Sequence, residues 1–391
     1  MKRPILLGVL AVLAIAAVAF FGIAPVLVDA SMNRVAPVPL PHVTAQTRAL
    51  HAGLQIADMH ADTLLWRRSL LDRAERGQVD LPRLQAGNVA LQVFSSVTKT
   101  PRHQNYDANS ADSDNITLLA IAQLQPPRTW GSLFQRSLWH AEKLKRAARG
   151  SDGHLRVIHT AADLDRLLAD RAAGRKVTGG LLSIEGLQDL EGDPANLDRL
   201  YAAGFRMAGF AHFFDNEAAG SMHGVAKGGL TPFGRQMLRR MEALGMVVDV
   251  AHVSHAGVAD ILAMARRPVV SSHGGVQATC KANRNLSDDE IRGIARTGGV
   301  IGIGYWDAAI CSTSTKAVAE AIAHVRDLVG IDHVGLGSDF DGAVTTAFDA
   351  AQLAVVTQAL VERGFSEQEI GKVMGGNVLR VLRAGMQPGK D

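Results

Sequence analysis

Beyond residue 50 the chain repeats one rhythm: a short apolar run, then an amphipathic helical stretch. The runs are Leu54–His60, Val89–Val97, Val177–Glu185, Phe205–His212, Met246–His252, Pro268–His273, Gly299–Trp306 and His333–Asp339. Helical periodicity fills 161–173, 196–203, 232–244, 255–265, 287–296 and 315–329, and returns at 350–363 and 367–383. Strands this uniformly apolar are covered on both faces, as in a parallel sheet. Eight β/α alternations predict a (β/α)8 TIM-type barrel over residues 51–385, with a doubly wound open sheet as the alternative. The connection between the second and third runs is long. Its helical patterns near 113–124 and 133–149 mark an inserted helical segment, expected to fold over the barrel mouth.

Polar residues gather where the apolar runs end. His60 and Asp62 close the first, Glu185 the third, His212 the fourth, His252 the fifth, His273 the sixth and Asp339 the eighth. Spaced i, i+2 on a strand, His60 and Asp62 point to one face and can reach one metal. In a barrel all these ends open on the same face, where such folds place their chemistry. Burying so many ionisable groups together is costly unless they are paired or hold a metal. Three histidines with carboxylates suit Zn2+. Five ligands exceed one closed tetrahedral site, so two ions sharing a carboxylate fit better.

Other polar residues read differently. His255 is expected at the start of a helix in a structural role, and Asp341 in a turn. His103 and His223 lie in loops, and Arg206 and Lys227 are further cations without a distinguishing spacing. A formal net charge of +3 without a Lys/Arg block argues against a nucleic-acid partner. Only two cysteines, Cys280 and Cys311, exclude a disulfide-rich scaffold and a Cys-based zinc ribbon.

At the N-terminus Lys2 and Arg3 precede an uncharged run, Pro4 to Val28. At 1.5 Å per residue such a run can cross a bilayer core of roughly 30 Å. Residues 1–30 therefore read as a signal anchor or a signal peptide. Val28-Asp29-Ala30 could serve as a cleavage site, but the run is long for a signal peptide. Either reading exports the rest to the periplasm or cell envelope, with residues 4–28 expected as an inner-membrane anchor. Residues 31–50, with Pro37, Pro39 and Pro41, read as a linker, and 386–391 as a C-terminal tail.

Taken in order, the motifs resemble the membrane (renal-type) dipeptidase family of the amidohydrolase superfamily. They are Asp58-Met59-His60-Ala61-Asp62, Glu185-Gly186, His212, Gly229-Leu230-Thr231-Pro232-Phe233-Gly234, Asp249-Val250-Ala251-His252-Val253-Ser254, Ser272-His273, Arg284-Asn285-Leu286-Ser287-Asp288-Asp289 and Gly337-Ser338-Asp339-Phe340-Asp341-Gly342. The resemblance covers roughly residues 50–385. It implies one zinc on His60, Asp62 and Glu185, a second on Glu185, His252 and His273, and Glu185 as the bridge. His212, Arg284 and Asp339 would act on the substrate, and Cys280 and Cys311 would form a disulfide. Met59, Ala61 and the stretch Phe213-Phe214-Asp215-Asn216 depart from the family pattern and bear on substrate preference. Family members are often dimers, so a homodimer is implied as well.

The implied activity is zinc-dependent hydrolysis of dipeptides, including those with a C-terminal D-residue, by a metal-bridged hydroxide. A different amide or a β-lactam is a related substrate, and a non-catalytic metal-binding barrel is the reading from another class. Within this scheme His212 would steady the oxyanion, Asp339 would carry the proton to the leaving amine, and Arg284 would grip the substrate carboxylate.

Overall fold

The computed structural model describes residues 2–386. The expected tail thus lies outside the described residues except for Met386. Eight parallel strands form the barrel: β1 (Ile56–Ala61), β2 (Val89–Ser96), β3 (Thr178–Glu185), β4 (Phe205–Gly209), β5 (Val247–Asp249), β6 (Val269–Ser271), β7 (Val300–Ile303) and β8 (Val334–Leu336). Each pairs with the next in the chain, and β8 closes on β1 through Leu336 and Asp58. The open-sheet alternative is excluded by that closure.

Every strand falls where an apolar run was read, yet β4, β5, β6 and β8 stop two or three residues before the polar residue expected to end them. Two buried carboxylates explain the early exits at β5, β6 and β8. Asp249 Oδ1 accepts the N–H groups of Ala251 at 3.0 Å and Ser272 at 2.8 Å. Asp58 Oδ1 accepts the His60 N–H at 2.9 Å, and its Oδ2 accepts that of Ser338 at 3.1 Å. These side chains satisfy backbone donors that a longer ladder would have used, so the chain turns away without leaving them orphaned. Glycine permits the crowding this requires: a Cβ on Gly337 would meet the Ser272 carbonyl oxygen at 2.0 Å.

Beneath the site, the barrel is filled by Met59, Leu91, Val93, Leu181, Met207, Val247 and Val270. Val378, Val381 and Leu382 of the C-terminal helix Asn377–Gly385 pack into the same cluster. The inserted segment forms helices Ile116–Ala122 and Leu133–Gly150, as read from the sequence. It also adds an unexpected short strand, Leu155–Val157, beside the start of β3.

The linker reading of 31–50 needs correction. Arg34–Val35 pairs with Thr345–Thr346, and Thr44 caps a helix, Ala45–Ala52. Extended chain is confined to 36–44, where the three prolines withhold their N–H donors. N-terminal to this, helices Lys2–Val18 and Ala24–Met32 run on through a π-turn, Ala19–Ile23. Pro4–Met32 is long and apolar enough to cross a membrane.

Candidate metal centre

All six expected strand-end positions converge on one point. Glu185, the last residue of β3, places Oε1 3.6 Å from His60 Nε2, 3.6 Å from His212 Nε2, 3.2 Å from His252 Nε2 and 3.5 Å from His273 Nε2. His60 Nε2 lies 3.3 Å from Asp62 Oδ1 and 3.8 Å from Asp339 Oδ1. Asp62 arrives there by a route other than the one expected. It sits past the end of β1, ahead of the 3-10 turn Thr63–Leu65, so the turn rather than the strand pleat aims it at His60.

His252 and Asp339 hold left-handed backbones, with φ of 64° and 58°. Non-glycine residues in that region are uncommon and cluster at functional sites. Here the conformation lets a residue beyond the strand fold back over the barrel mouth.

The chemistry of this donor set fits a cation. His60, Glu185 and His273 bring ligand atoms within 4.8 Å of one another, as do Glu185, His212 and His252, and His60, Asp62 and Asp339. His60 Nε2, Asp62 Oδ1 and Glu185 Oε2 are buried and have no hydrogen-bond partner. Burial, reinforced by Asp62 and Asp339, raises the Glu185 carboxyl well above its usual range. Burial opposes charging His60, but the Glu185 and Asp62 carboxylates outweigh it and raise the imidazole to about 10. Burial lowers His252 and His273 well below the usual histidine range, and takes His212 to about 3. Neutral imidazoles and ionised carboxylates are the forms that ligate metal, and a divalent cation would stabilise both.

Asp339 is pushed up to about 7, chiefly by burial, with Asp62 adding to it and His60 and Arg284 opposing. Arg284 is buried with its guanidinium over the Trp306 ring, 4.7 Å from the centroid, and Nη2 has no partner. Its loop is held by the Cys280–Cys311 disulfide and by Asn285, which donates to the Cys280 and Ala309 carbonyls.

A cavity of about 610 Å³ opens over the cluster. Asp62, Glu185, His212, His252, Arg284 and Asp339 line its polar end. Trp66 and Tyr106, to which the sequence reading gave no role, line it too, as does Phe213 of the stretch read as bearing on substrate preference. Loop aromatics carry no spacing signal, and only the fold of the insertion brings Tyr106 to the mouth. His223 is buried behind Phe213, stacked at 4.6 Å, with Nδ1 against the Tyr106 carbonyl. His103, Arg206 and Lys227 do not line the cavity. Asp341 pairs with Arg68 at 2.8 Å and accepts from Thr63. His255 begins its helix and meets Glu290 at 2.6 Å.

Residues 44–388 match the family model described as membrane dipeptidase, peptidase family M19. Dipeptidase aclJ of Aspergillus oryzae is 30% identical over 349 residues, an overlap covering 84% of this chain and 77% of that protein. Dipeptidase tcpJ of Claviceps purpurea is 29% identical, covering 78% and 69%. The fold is shared with the probable dipeptidase PvdM from Pseudomonas aeruginosa, at a TM-score of 0.74 and 22% identity, covering 88% of this chain and 98% of that one. It is also shared with a metallopeptidase from Rhodobacter sphaeroides bound to a phosphinate mimic of the dipeptide L-Ala-D-Ala, at 0.67 and 24%, covering 85% and 99%. With the family model spanning nearly the whole barrel, the chain belongs to the membrane dipeptidases of peptidase family M19, dipeptide-hydrolysing metallopeptidases.

Proposed function

We propose that the chain is a zinc dipeptidase of the cell envelope, anchored in the inner membrane by the exposed N-terminal part of the Pro4–Met32 helix and acting on dipeptides with a free carboxylate. The observation that carries this is the position of Glu185 Oε1 among four imidazole Nε2 atoms at 3.2–3.6 Å. Two zinc ions would be held by His60, Asp62 and Glu185 and by Glu185, His252 and His273. When bound, they would supply Lewis acidity and a water activated near neutral pH.

The protein's own groups do the rest. Arg284 offers a planar, desolvated fork for the substrate carboxylate. His212 donates from Nε2 to the oxyanion that develops at the scissile carbonyl. Its Nδ1 faces the Lys99 carbonyl at 3.5 Å, a long contact that orients the ring. Asp339 takes the proton from the attacking water and delivers it to the leaving amine. With divalent cations held beside it the carboxyl would be ionised, as taking that proton requires. Acceptance of a C-terminal D-residue is supported by the L-Ala-D-Ala mimic bound to the Rhodobacter sphaeroides relative.

The test is hydrolysis of L,L and L,D dipeptides by full-length protein in mild detergent, with metal analysis of the same sample. Turnover lost to chelator and restored by Zn2+ supports the reading. Metal-loaded protein that cleaves no dipeptide would overturn it.

A further inference from the structure

The cavity over the metal cluster has a wall that lies outside the barrel. Phe20, Ala24, Pro25, Val28 and Met32 of the N-terminal helix line the same space as Glu185, Arg284 and Asp339. Leu65, Trp66, Ile116 and Leu119 line it as well. The helix therefore changes character along its length. Ile5, Leu7, Val12 and Ile15 are all more than half exposed, whereas Pro25 and Asp29 are buried against the enzyme.

The buried end is held by specific joints. Asp29 is 1% exposed, and its Oδ2 accepts from Arg68 Nε and Arg76 Nε, each at 2.9 Å. Its Oδ1 accepts from Asn33 Nδ2 at 2.8 Å, and Asn33 Oδ1 in turn accepts the Ala343 N–H at 3.0 Å. Higher up, Arg67 Nη1 donates to the Phe21 carbonyl at 2.8 Å. Removing Asp29 would leave Arg68, already buried, short of one of its two carboxylates, which is costly. This is the energetics of a built interface rather than of a tether.

We propose that this helix is part of the substrate pocket and selects dipeptides whose amino-terminal residue carries a large apolar side chain. The proposal rests on the dipeptidase reading and adds the origin of its specificity. The direction follows from where the helix docks. Its hydrogen bonds are with Arg67, Arg68 and Arg76 after β1 and, through Asn33 at its end, with Ala343 after β8. Arg284 follows β6 and stacks on Trp306, which follows β7. A dipeptide whose carboxylate is gripped by Arg284 therefore extends its amino-terminal half toward the helix. A cavity of about 610 Å³ belongs to the size range that buries drug-sized ligands and leaves room there for an extended side chain. Cleavage at Val28-Asp29-Ala30 would remove this wall, so the segment stays attached in the working enzyme.

Three measurements on full-length protein in its membrane or in mild detergent test this. The intact mass should include residues before Ala30; a chain beginning at Ala30 or Ser31 overturns the proposal. A photo-crosslinking residue replacing Ala24 should attach to the 62–66 or 116–119 segments, and attachment to lipid alone overturns it. Neither readout depends on turnover, so they stand even if no dipeptide is cleaved and the dipeptidase reading falls. Where turnover is found, kcat/KM for Phe-Ala and Leu-Ala should exceed that for Ala-Ala. Val28→Asp should cut that preference on the order of tenfold, and Val28→Ala should cut it less. Equal loss on all three dipeptides, or an unchanged ratio in both variants, would show that the helix only anchors.

Discussion

The Nε2 atoms of His252 and His273 lie 2.9 Å apart, both rings buried, with Glu185 Oε1 3.2 and 3.5 Å away. The two residues come from different strands, and one carboxylate sets both. Asp249 accepts the N–H of Ala251, beside His252, and of Ser272, beside His273. His273→Ala should therefore remove one of the two proposed zinc ions and abolish turnover. Asp249→Ala should keep both ligands yet weaken metal affinity by about 10–100-fold, as loss of an outer partner typically does. Chelator competition measures this, and unaltered affinity would show that the loops hold their own shape.

Arg284 makes a sharper prediction because its guanidinium has an unpartnered Nη2 at the cavity. Arg284→Ala should raise KM for free dipeptides by about 10–100-fold, the worth of a charge-assisted fork at roughly 1.5–3 kcal/mol. C-terminally amidated analogues, lacking the carboxylate, should lose much less. Equal losses for both would assign Arg284 to holding the Trp306 face.

Much of this site was legible because two kinds of residue announce themselves. Runs such as Val89–Val97 are apolar on both faces, which only a doubly covered strand tolerates. Residues such as Glu185 and His273 then interrupt that apolarity where the barrel opens. The exit geometry was hidden. Nothing in Asp58 or Asp249 says that the carboxylate will replace ladder hydrogen bonds and shorten the strands. Equally hidden were contacts made across long sequence separations. Asp29 reads as one charge at the end of an apolar run until Arg68 and Arg76 are folded against it. Tyr106 likewise reaches the cavity only through the shape of the insertion.

The Cys280–Cys311 bridge spans 31 residues and joins the loop after β6 to the one after β7. Closing such a loop is worth about 3–4 kcal/mol in the chain-entropy model. The double variant Cys280→Ser, Cys311→Ser should unfold at lower temperature. It should also raise KM more than it lowers kcat, because the bridged loop carries Arg284. An unchanged KM would confine the bridge to stability.

His255 and Glu290 supply a pH signature away from the metal. The Glu290 hydrogen bond raises His255 above 6.5; burial works against Glu290, but that bond to His255 lowers it below 4.5. The histidine's contribution is present below 6.5 and fades as pH rises through its folded value. The glutamate's is present above 4.5 and fades as pH falls through its own. His255→Ala should therefore cost most between these limits and little near pH 9. Because His255 is half exposed, the cost should stay within about 1 kcal/mol. Melting temperatures at about pH 5.5 and 9 check this, and an equal deficit at both would deny the ion pair.

Asp339 separates two roles that its position allows. Its Oδ1 is 3.8 Å from His60 Nε2, and with His60 and Asp62 it forms a group able to hold a metal. The proposed ligand set of His60, Asp62, Glu185, His252 and His273 does not need it. Its left-handed backbone turns the carboxylate over the barrel mouth, beside the groups that would hold the metal. An amide has nearly the same shape but cannot carry a proton between water and amine. If proton transfer is its work, Asp339→Asn should fold, keep its zinc and bind a non-hydrolysable dipeptide analogue almost normally. Turnover should fall by the ~10²–10⁴-fold expected of a lost general acid/base. If Asp339 is instead a metal ligand, zinc and activity should disappear together. Zinc content and rate measured on one preparation decide the matter, since metal lost in step with rate leaves no separate proton-transfer defect to explain.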